Sequence, residues 1–149
     1  MAVTASGLFV ATWLDALDTT QLALDLDLET HKGALFTNTI TPNFTTDTAY
    51  AVAPYNANEV TGTNWASGGV LLTGTTNTAT SGTLVLDATD VSVASTTISN
   101  ARCYLYYADA LAGNNAILLV DFTADYSTVN GTFAITWAAG GIAIIDMTP

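Results

Sequence analysis

The sequence predicts a mainly β protein: an antiparallel β-sandwich or jelly-roll-like barrel with one short N-terminal helix. Three observations carry this. Thr, Val, Ala, Gly and Leu dominate while Lys, Arg, Gln and Glu are scarce, and Thr and Val favour pleated, half-buried surfaces. Half of the chain is hydrophobic and only 10% is charged, the reverse of a disordered composition. Short apolar or alternating runs recur between turn residues, the spacing of a sandwich or barrel, with no period-like internal repeat. The 149 residues suit one domain, 1–149, with a sizeable core.

The elements follow in order. Ser6–Leu17 is the helix candidate, with Ser6 as N-cap and Phe9, Trp13 and Leu17 on one face. Leu22–Glu29 (LALDLDLE) alternates strictly and predicts a strand with Leu22, Leu24, Leu26 and Leu28 inward and Asp25, Asp27 and Glu29 on a solvated edge. A helix over these leucines is the other reading. Next come a bulge at Gly33, a short strand at Ala34–Thr37, and a long ordered loop, 41–58, punctuated by Pro42 and Pro54, with a brief helical turn at Thr48–Tyr55. Asn58–Gly74 (NEVTGTNWASGGVLLTG) reads as a structural corner, with Gly62, Gly68 and Gly69 permitting unusual backbone and Trp65 pinning it to the core.

Strands are expected at Val70–Thr73, Thr83–Asp87 and Asp90–Val93, with a strand extension and hairpin loop in Gly74–Gly82 and a turn or strand start at Thr96–Asn100. Ala101–Asp109 is the strongest apolar strand. It pairs through the Leu111–Asn115 turn with Ala116–Phe122. Ser127–Gly131 reads as another turn, Thr132–Trp137 as a strand alternating Phe133, Ile135 and Trp137, and Ile142–Ile145 as the terminal strand after Gly140 and Gly141.

Thirteen acidic residues face two basic ones, Lys32 and Arg102, for a net charge of −11. Direct nucleic-acid binding needs basic side chains to displace counterions, and anionic membranes need the same, so both are excluded as expectations. Self-repulsion and solubility explain the charge, and a docking surface for a basic partner is the sharper alternative. Met1–Gly7 has no basic leader region and no apolar run is long enough to span a bilayer, so a soluble protein made in a reducing compartment is expected. The lone Cys103 then reads as a buried free thiol.

No catalytic pattern stands out. His31 lacks the companions of a triad or a transition-metal site and reads as a surface or locally bonded polar residue. A Cys103–His31 pair is conceivable, but an inert cysteine fits an apolar strand better. Asp87 with Asp90, or Asp121 with Asp125, pair by proximity only, and such residues beside turns more often cap backbone donors than serve a glycosidase. Calcium at Asp25, Asp27 and Glu29 is disfavoured, because same-face carboxylates on a strand stand ~7 Å apart and do not converge. The sequence therefore predicts no enzyme and no catalytic, cofactor-binding or metal residues.

The stretch from Asn58 also resembles small virion proteins of tailed bacteriophages, whose pattern N-E-V-x-G-x-x-[YW]-x-x-G-G-x-x-L-x-G is matched by Asn58, Glu59, Val60, Gly62, Trp65, Gly68, Gly69, Leu72 and Gly74. Further matches are L-V-L-D-A-x-D-V at Leu84–Val91, A-R-C-Y-L-Y-Y from Ala101, L-L-V-D-F at Leu118–Phe122, and N-G-T-F-x-I-T-W-x-x-x-G-I from Asn130 to Ile142. The short helix followed by a strand near Gly33–Asn38 also fits, and the chain departs from the pattern in its poverty of Lys and Arg and in the acidic segment Leu22–Glu29.

The resemblance implies a non-enzymatic capsid decoration (cement) protein. It would bind and stabilise the shell of the major capsid protein as a small homo-oligomer, on the outer capsid surface of a virion assembled in the host bacterial cytoplasm. The alternative is a tail- or fibre-associated module recognising a host surface glycan, with Trp65 and the tyrosines as stacking residues. Candidate partner contacts are Met1, Ala2 and Val3 of an N-terminal arm spanning 1–7, together with Tyr50, Tyr55 and Trp65.

Overall fold

In a computed structural model, which describes residues 2–18 and 22–148, the chain is built on one long hairpin. Its strands are β7 (Val91–Ala108) and β8 (Ala116–Ile135), with partners such as Tyr104 opposite Val120 and Tyr107 opposite Ala116. Around them lie β1 (Gly7–Leu8), β2 (His31–Phe36), β3 (Glu59–Val60) and β4 (Val70–Leu71). The order is β1-β8-β7-β2-β3, with β4 also paired to β2. A second sheet holds β5 (Thr76–Thr80), β6 (Thr83–Asp87) and β9 (Ala143–Asp146) in the order β5-β6-β9. Every strand pair is antiparallel, and one short helix among the described residues, α1 (Val10–Leu17), lies between β1 and β2. The expected antiparallel sandwich-like fold with one N-terminal helix is what forms.

The large sheet is buried on both faces where β2, β7 and β8 meet. Leu35, Tyr104, Tyr106 and Leu118 pack into one cluster with Leu86 and Leu26, beneath the second sheet. Ala34, Phe36, Cys103, Leu105 and Tyr107 pack into the other, beneath Val3, Phe9, Ile40 and Tyr55. Side chains alternate across a strand, so a strand covered on both sides must be apolar throughout. This explains why the run from Ala101 to Ala108 shows no polar alternation. The loop 41–58 and the N-terminal segment form the cover over the second face.

Glycine matters at two contact points. A Cβ on Gly33 would overlap the ring of Tyr104, which lies across it from the neighbouring strand, so Gly33 is a seat for an aromatic ring within a regular ladder and not a bulge. Gly69 has φ +72° and lies against the backbone of Gly33, where any side chain would collide.

Several expected elements are corrected. The helix begins at Val10, because Gly7 and Leu8 pair instead with Leu119 and Leu118. Ser6 is no N-cap: its hydroxyl accepts the Asp121 amide at 2.8 Å, and Phe9 occupies the cap without a side-chain bond. The face of Phe9, Trp13 and Leu17 splits, with Phe9 buried and Leu17 83% exposed, and Thr12 turns inward to donate to the carbonyl of Ala116.

Leu22–Glu29 forms no strand. Asp25 Oδ1 accepts the amides of Asp27 and Leu28 at 3.2 and 3.0 Å, which closes a turn and competes with a ladder. Leu26 is buried while Leu28 is 84% exposed, so the leucines do not share a face. Thr48–Tyr55 forms turns without a helix, because its backbone bonds the hairpin turn: the Tyr50 amide donates to Asn114 and the Ala116 amide to Thr48.

The turn or strand start expected at Thr96–Asn100 and the turn expected at Ser127–Gly131 both lie inside continuous strands, as bulged stretches of β7 and β8. Ser95, Asn100, Thr123 and Asn130 adopt positive φ where the register shifts, so turn-type residues bend the ribbon without ending it.

Candidate functional site

The corner from Asn58 is held by one carboxylate. Glu59 ends the long loop on β3. Its Oε2 accepts the Ser67 hydroxyl at 2.7 Å and the Tyr50 hydroxyl at 3.0 Å, and its Oε1 accepts the Gly68 amide at 2.7 Å. Tyr107 closes the knot from the sheet, donating to the Gly68 carbonyl at 2.8 Å. The Tyr50 and Tyr107 rings stack, with centroids 4.5 Å apart and planes 11° from parallel. Burial first, and then neighbouring charge, raises both phenols above their ordinary value, so both stay protonated and able to donate. Gly62 and Trp65 exchange backbone bonds of 2.9 and 3.1 Å, which turns the chain and drives the Trp65 ring against Phe133.

A second knot fixes the N-terminal segment. Asp121 Oδ1 receives Arg102 Nε at 2.8 Å and the Thr123 amide at 2.8 Å. Arg102 Nη2 also donates to the Val3 carbonyl, and the Val3 amide donates to Asn38 Oδ1 at 2.8 Å. Arg102 Nη1 approaches Asp125 at 3.8 Å. The other cation, Lys32, pairs with Asp109 at 3.0 Å. Both basic side chains of the chain therefore sit beside carboxylates, and the remaining surface charge is negative.

The six candidate contact residues divide. Val3, Tyr55 and Trp65 are closed to a partner docking on the folded chain, being 0%, 2% and 0% exposed. They belong to the two cores, because the arm and loop that carry them cover the sheet. Ala2 and Tyr50 are partly open, although Tyr50 is committed to Glu59 and Tyr107. Met1 lies outside the described residues. Among the tyrosines only Tyr126 is more than half exposed, at 52%. A glycan would therefore not find Trp65 or Tyr55 as stacking platforms.

The candidate catalytic groups separate in the same way. Cys103 is buried and its thiol is pushed up to about 12, mainly by desolvation, which leaves it inert. His31, expected as a surface or locally bonded polar residue, is not at the surface: it is fully buried beneath the Leu22–Glu29 turn, with Nδ1 2.8 Å from the hydroxyl of Tyr106, a residue distant in sequence, and Nε2 3.8 Å from Glu29. Asp87 accepts the Ala88 amide and Asp90 the Trp137 amide, the capping role anticipated for both. Asp25 and Asp27 share a hydrogen bond that lowers one carboxyl and raises the other. No three metal-ligating side chains gather among the described residues, and no described helix is long and apolar enough to cross a membrane.

Sequence reasoning missed Glu59 and the Arg102–Asp121 pair as organising groups. The available signals were modest: Glu59 is the lone acid between Asp47 and Asp87, and Arg102 is a cation inside an apolar strand. The structure thus defines a class, an antiparallel β scaffold whose half-buried polar side chains hold loops onto a sheet. Set beside protein-family models, curated proteins and solved structures, the chain matches none.

Proposed function

We propose that this chain is a non-enzymatic structural protein of a tailed-phage virion, a decoration or cement protein that binds the major capsid protein shell from outside. The reading starts from the likeness carried by Asn58–Gly74 and the strands after it. The observation that carries it furthest is the use of the polar groups. Glu59 and Arg102 each bind backbone of a loop or terminus, Asp121 holds Arg102 in place, and the Asp121 amide donates to the Ser6 hydroxyl, so the long loop and the N-terminal segment are clamped to a two-faced sheet. A clamp of this kind favours a rigid body that reinforces a neighbour, and exposed apolar side chains such as Leu17, Val129 and Met147 leave it surface to bury in an assembly.

Virions assembled with and without the protein test the proposal. Heads lacking it should lose resistance to heat and chelators, and labelled protein in intact particles should lie on the head by electron microscopy. Particles that lack only tails or fibres, or label confined to the tail, would overturn it in favour of the tail-associated reading.

A further inference from the structure

The long strand β8 has a partner on each side only near its start. Leu118 and Leu119 lie between β7 and β1, but beyond Asp121 the strand pairs with β7 alone among the described residues. Its outer edge is therefore free through Ile135. Such an edge presents unpaired backbone donors and acceptors, and proteins that keep it solitary place Lys, Pro or inward charge along it. Here the bulges at Thr123 and Asn130 and the carboxylate of Asp125 guard only the first part of the free edge, and the stretch after Asn130 has no such guard. From Tyr126 to Ile145 there is no charged residue and no proline, in a chain of net charge −11.

Two further features lie on the same edge. Phe122, Tyr126, Phe133 and Ile135 line an open groove of about 470 Å³, with Phe122 meeting both Tyr126 and Phe133 ring to ring. Beside it Val129 stands 86% exposed and Tyr126 52% exposed. The last stretch before Ile135 is regular, with Phe133, Ala134 and Ile135 in unbroken register against Val93, Ser92 and Val91. Groove, protruding apolar side chains and a regular open ladder thus occur together on one strand.

We propose that this edge is where a second copy of the chain binds, β8 lying antiparallel to β8 across a twofold axis. A twofold interface must be self-complementary, and here one surface supplies both the recess and the side chains to fill it. Charge selects the same occupant. Two copies at −11 repel wherever their carboxylates face each other, and the edge after Asp125 is a long segment where they can touch with none between them. A basic partner would gain nothing from this uncharged strand and would seek the acidic surface elsewhere. The inference does not rest on the virion assignment, and it is tested on the isolated protein.

Sedimentation equilibrium on the full chain decides it. The wild type should pass from 15.4 kDa to twice that mass as concentration rises. Val129→Lys and Ala134→Lys, both at exposed positions, should weaken the association by ~tenfold or more, since the axis brings like charges together. Each lysine also reduces the net negative charge, so such weakening cannot arise from repulsion between whole chains. Leu17→Lys makes the same charge change on α1 and should leave association intact.

A wild type that stays monomeric overturns the proposal. So does association that survives both edge variants, or that is lost with Leu17→Lys instead, which would place the interface on the exposed helix stripe of Val10, Leu14 and Leu17. Should the edge variants fail to fold, hydrogen exchange on the wild type decides: amides from Gly131 to Ile135 should gain protection with concentration, and concentration-independent exchange there sinks the idea.

Discussion

At the scale of single residues, polar groups drawn partly or wholly out of water set the design, and two of them make separable predictions. Glu59 accepts three hydrogen bonds that tie the corner to the long loop. In Glu59→Gln the charge is lost and the amide nitrogen cannot accept, so the variant should be less stable by ~1–3 kcal/mol, the scale of charge-assisted bonds. A urea titration reads this as a lower midpoint, and an unchanged midpoint would show the knot to be energetically idle. His31 predicts a pH dependence. Burial holds its imidazole below the ordinary value of 6.5, so the folded chain keeps it neutral where the unfolded chain begins to take up a proton. The unfolded state then binds more protons as pH falls through 6.5, and stability declines below that point by up to ~1.4 kcal/mol per pH unit. This is the only histidine, and ordinary carboxylates titrate near pH ~4, so the window just below 6.5 isolates it. His31→Gln should flatten the slope of urea midpoints there, and an equal slope in both proteins would assign the effect elsewhere.

At the scale of elements, the N-terminal segment behaves as a strap. Arg102→Gln removes the cation beside Asp121, whose side chain is only 6% exposed, and frees the Val3 carbonyl. Removing one partner of a fully buried pair costs 3–5 kcal/mol, and because Arg102 keeps some contact with solvent the expected loss is nearer ~2 kcal/mol. Hydrogen exchange should show faster exchange at Val3 and Leu8 while Tyr104 and Leu105 keep their protection; uniform acceleration would mean that the strap and the sheet open as one. Elements legible in the sequence are those where local chemistry and global packing agree. The hairpin through Leu111–Asn115, the β5–β6 hairpin and the terminal strand all carry apolar runs next to turn residues. The turn at Ser81 and Gly82, φ +50° and +79°, uses the two left-handed residues a tight hairpin needs. Elements that misread are those where two rules compete. LALDLDLE has the period of a strand, but Asp25 bonds its own backbone and closes a turn. Ser6 has the chemistry of a cap, but a free sheet edge captures Gly7 and Leu8 first. Asn100 and Asn130 signal turns, and β7–β8 pairing that continues before and after each of them along the chain converts them into bulges. The roles of Glu59 and Arg102 depend on residues distant in sequence, which periodicity cannot register.

At the scale of the whole molecule, one long uncharged run lies within an otherwise acidic chain, and that contrast predicts opposite salt responses for two kinds of partner. Both cations sit in ion pairs, so the chain meets its surroundings with a negative field over most of its surface. The free half of β8 and the segment after it lie outside that field's sources, since Asp125 and Asp146 bracket an uncharged run. When two copies approach edge to edge, the attraction is apolar contact and backbone pairing, while the opposition comes from carboxylates farther away. Those longer-range repulsions are what salt screens, with a Debye length of ~30 Å at 0.01 M falling to ~8 Å at 0.15 M. Self-association should therefore tighten as salt rises across that range. A basic partner bound to the acidic surface gains its attraction from the same charges, so that complex should loosen over the same series. A sedimentation series across ionic strength, run on the protein alone and then with a short lysine-rich peptide, reads both slopes. Tightening of the first with loosening of the second fits an uncharged dimer edge within an acidic body. Self-association that weakens with salt would instead mean that copies meet through ion pairs, and with only Lys32 and Arg102 to supply them, one of the internal pairs would have to open for that to happen.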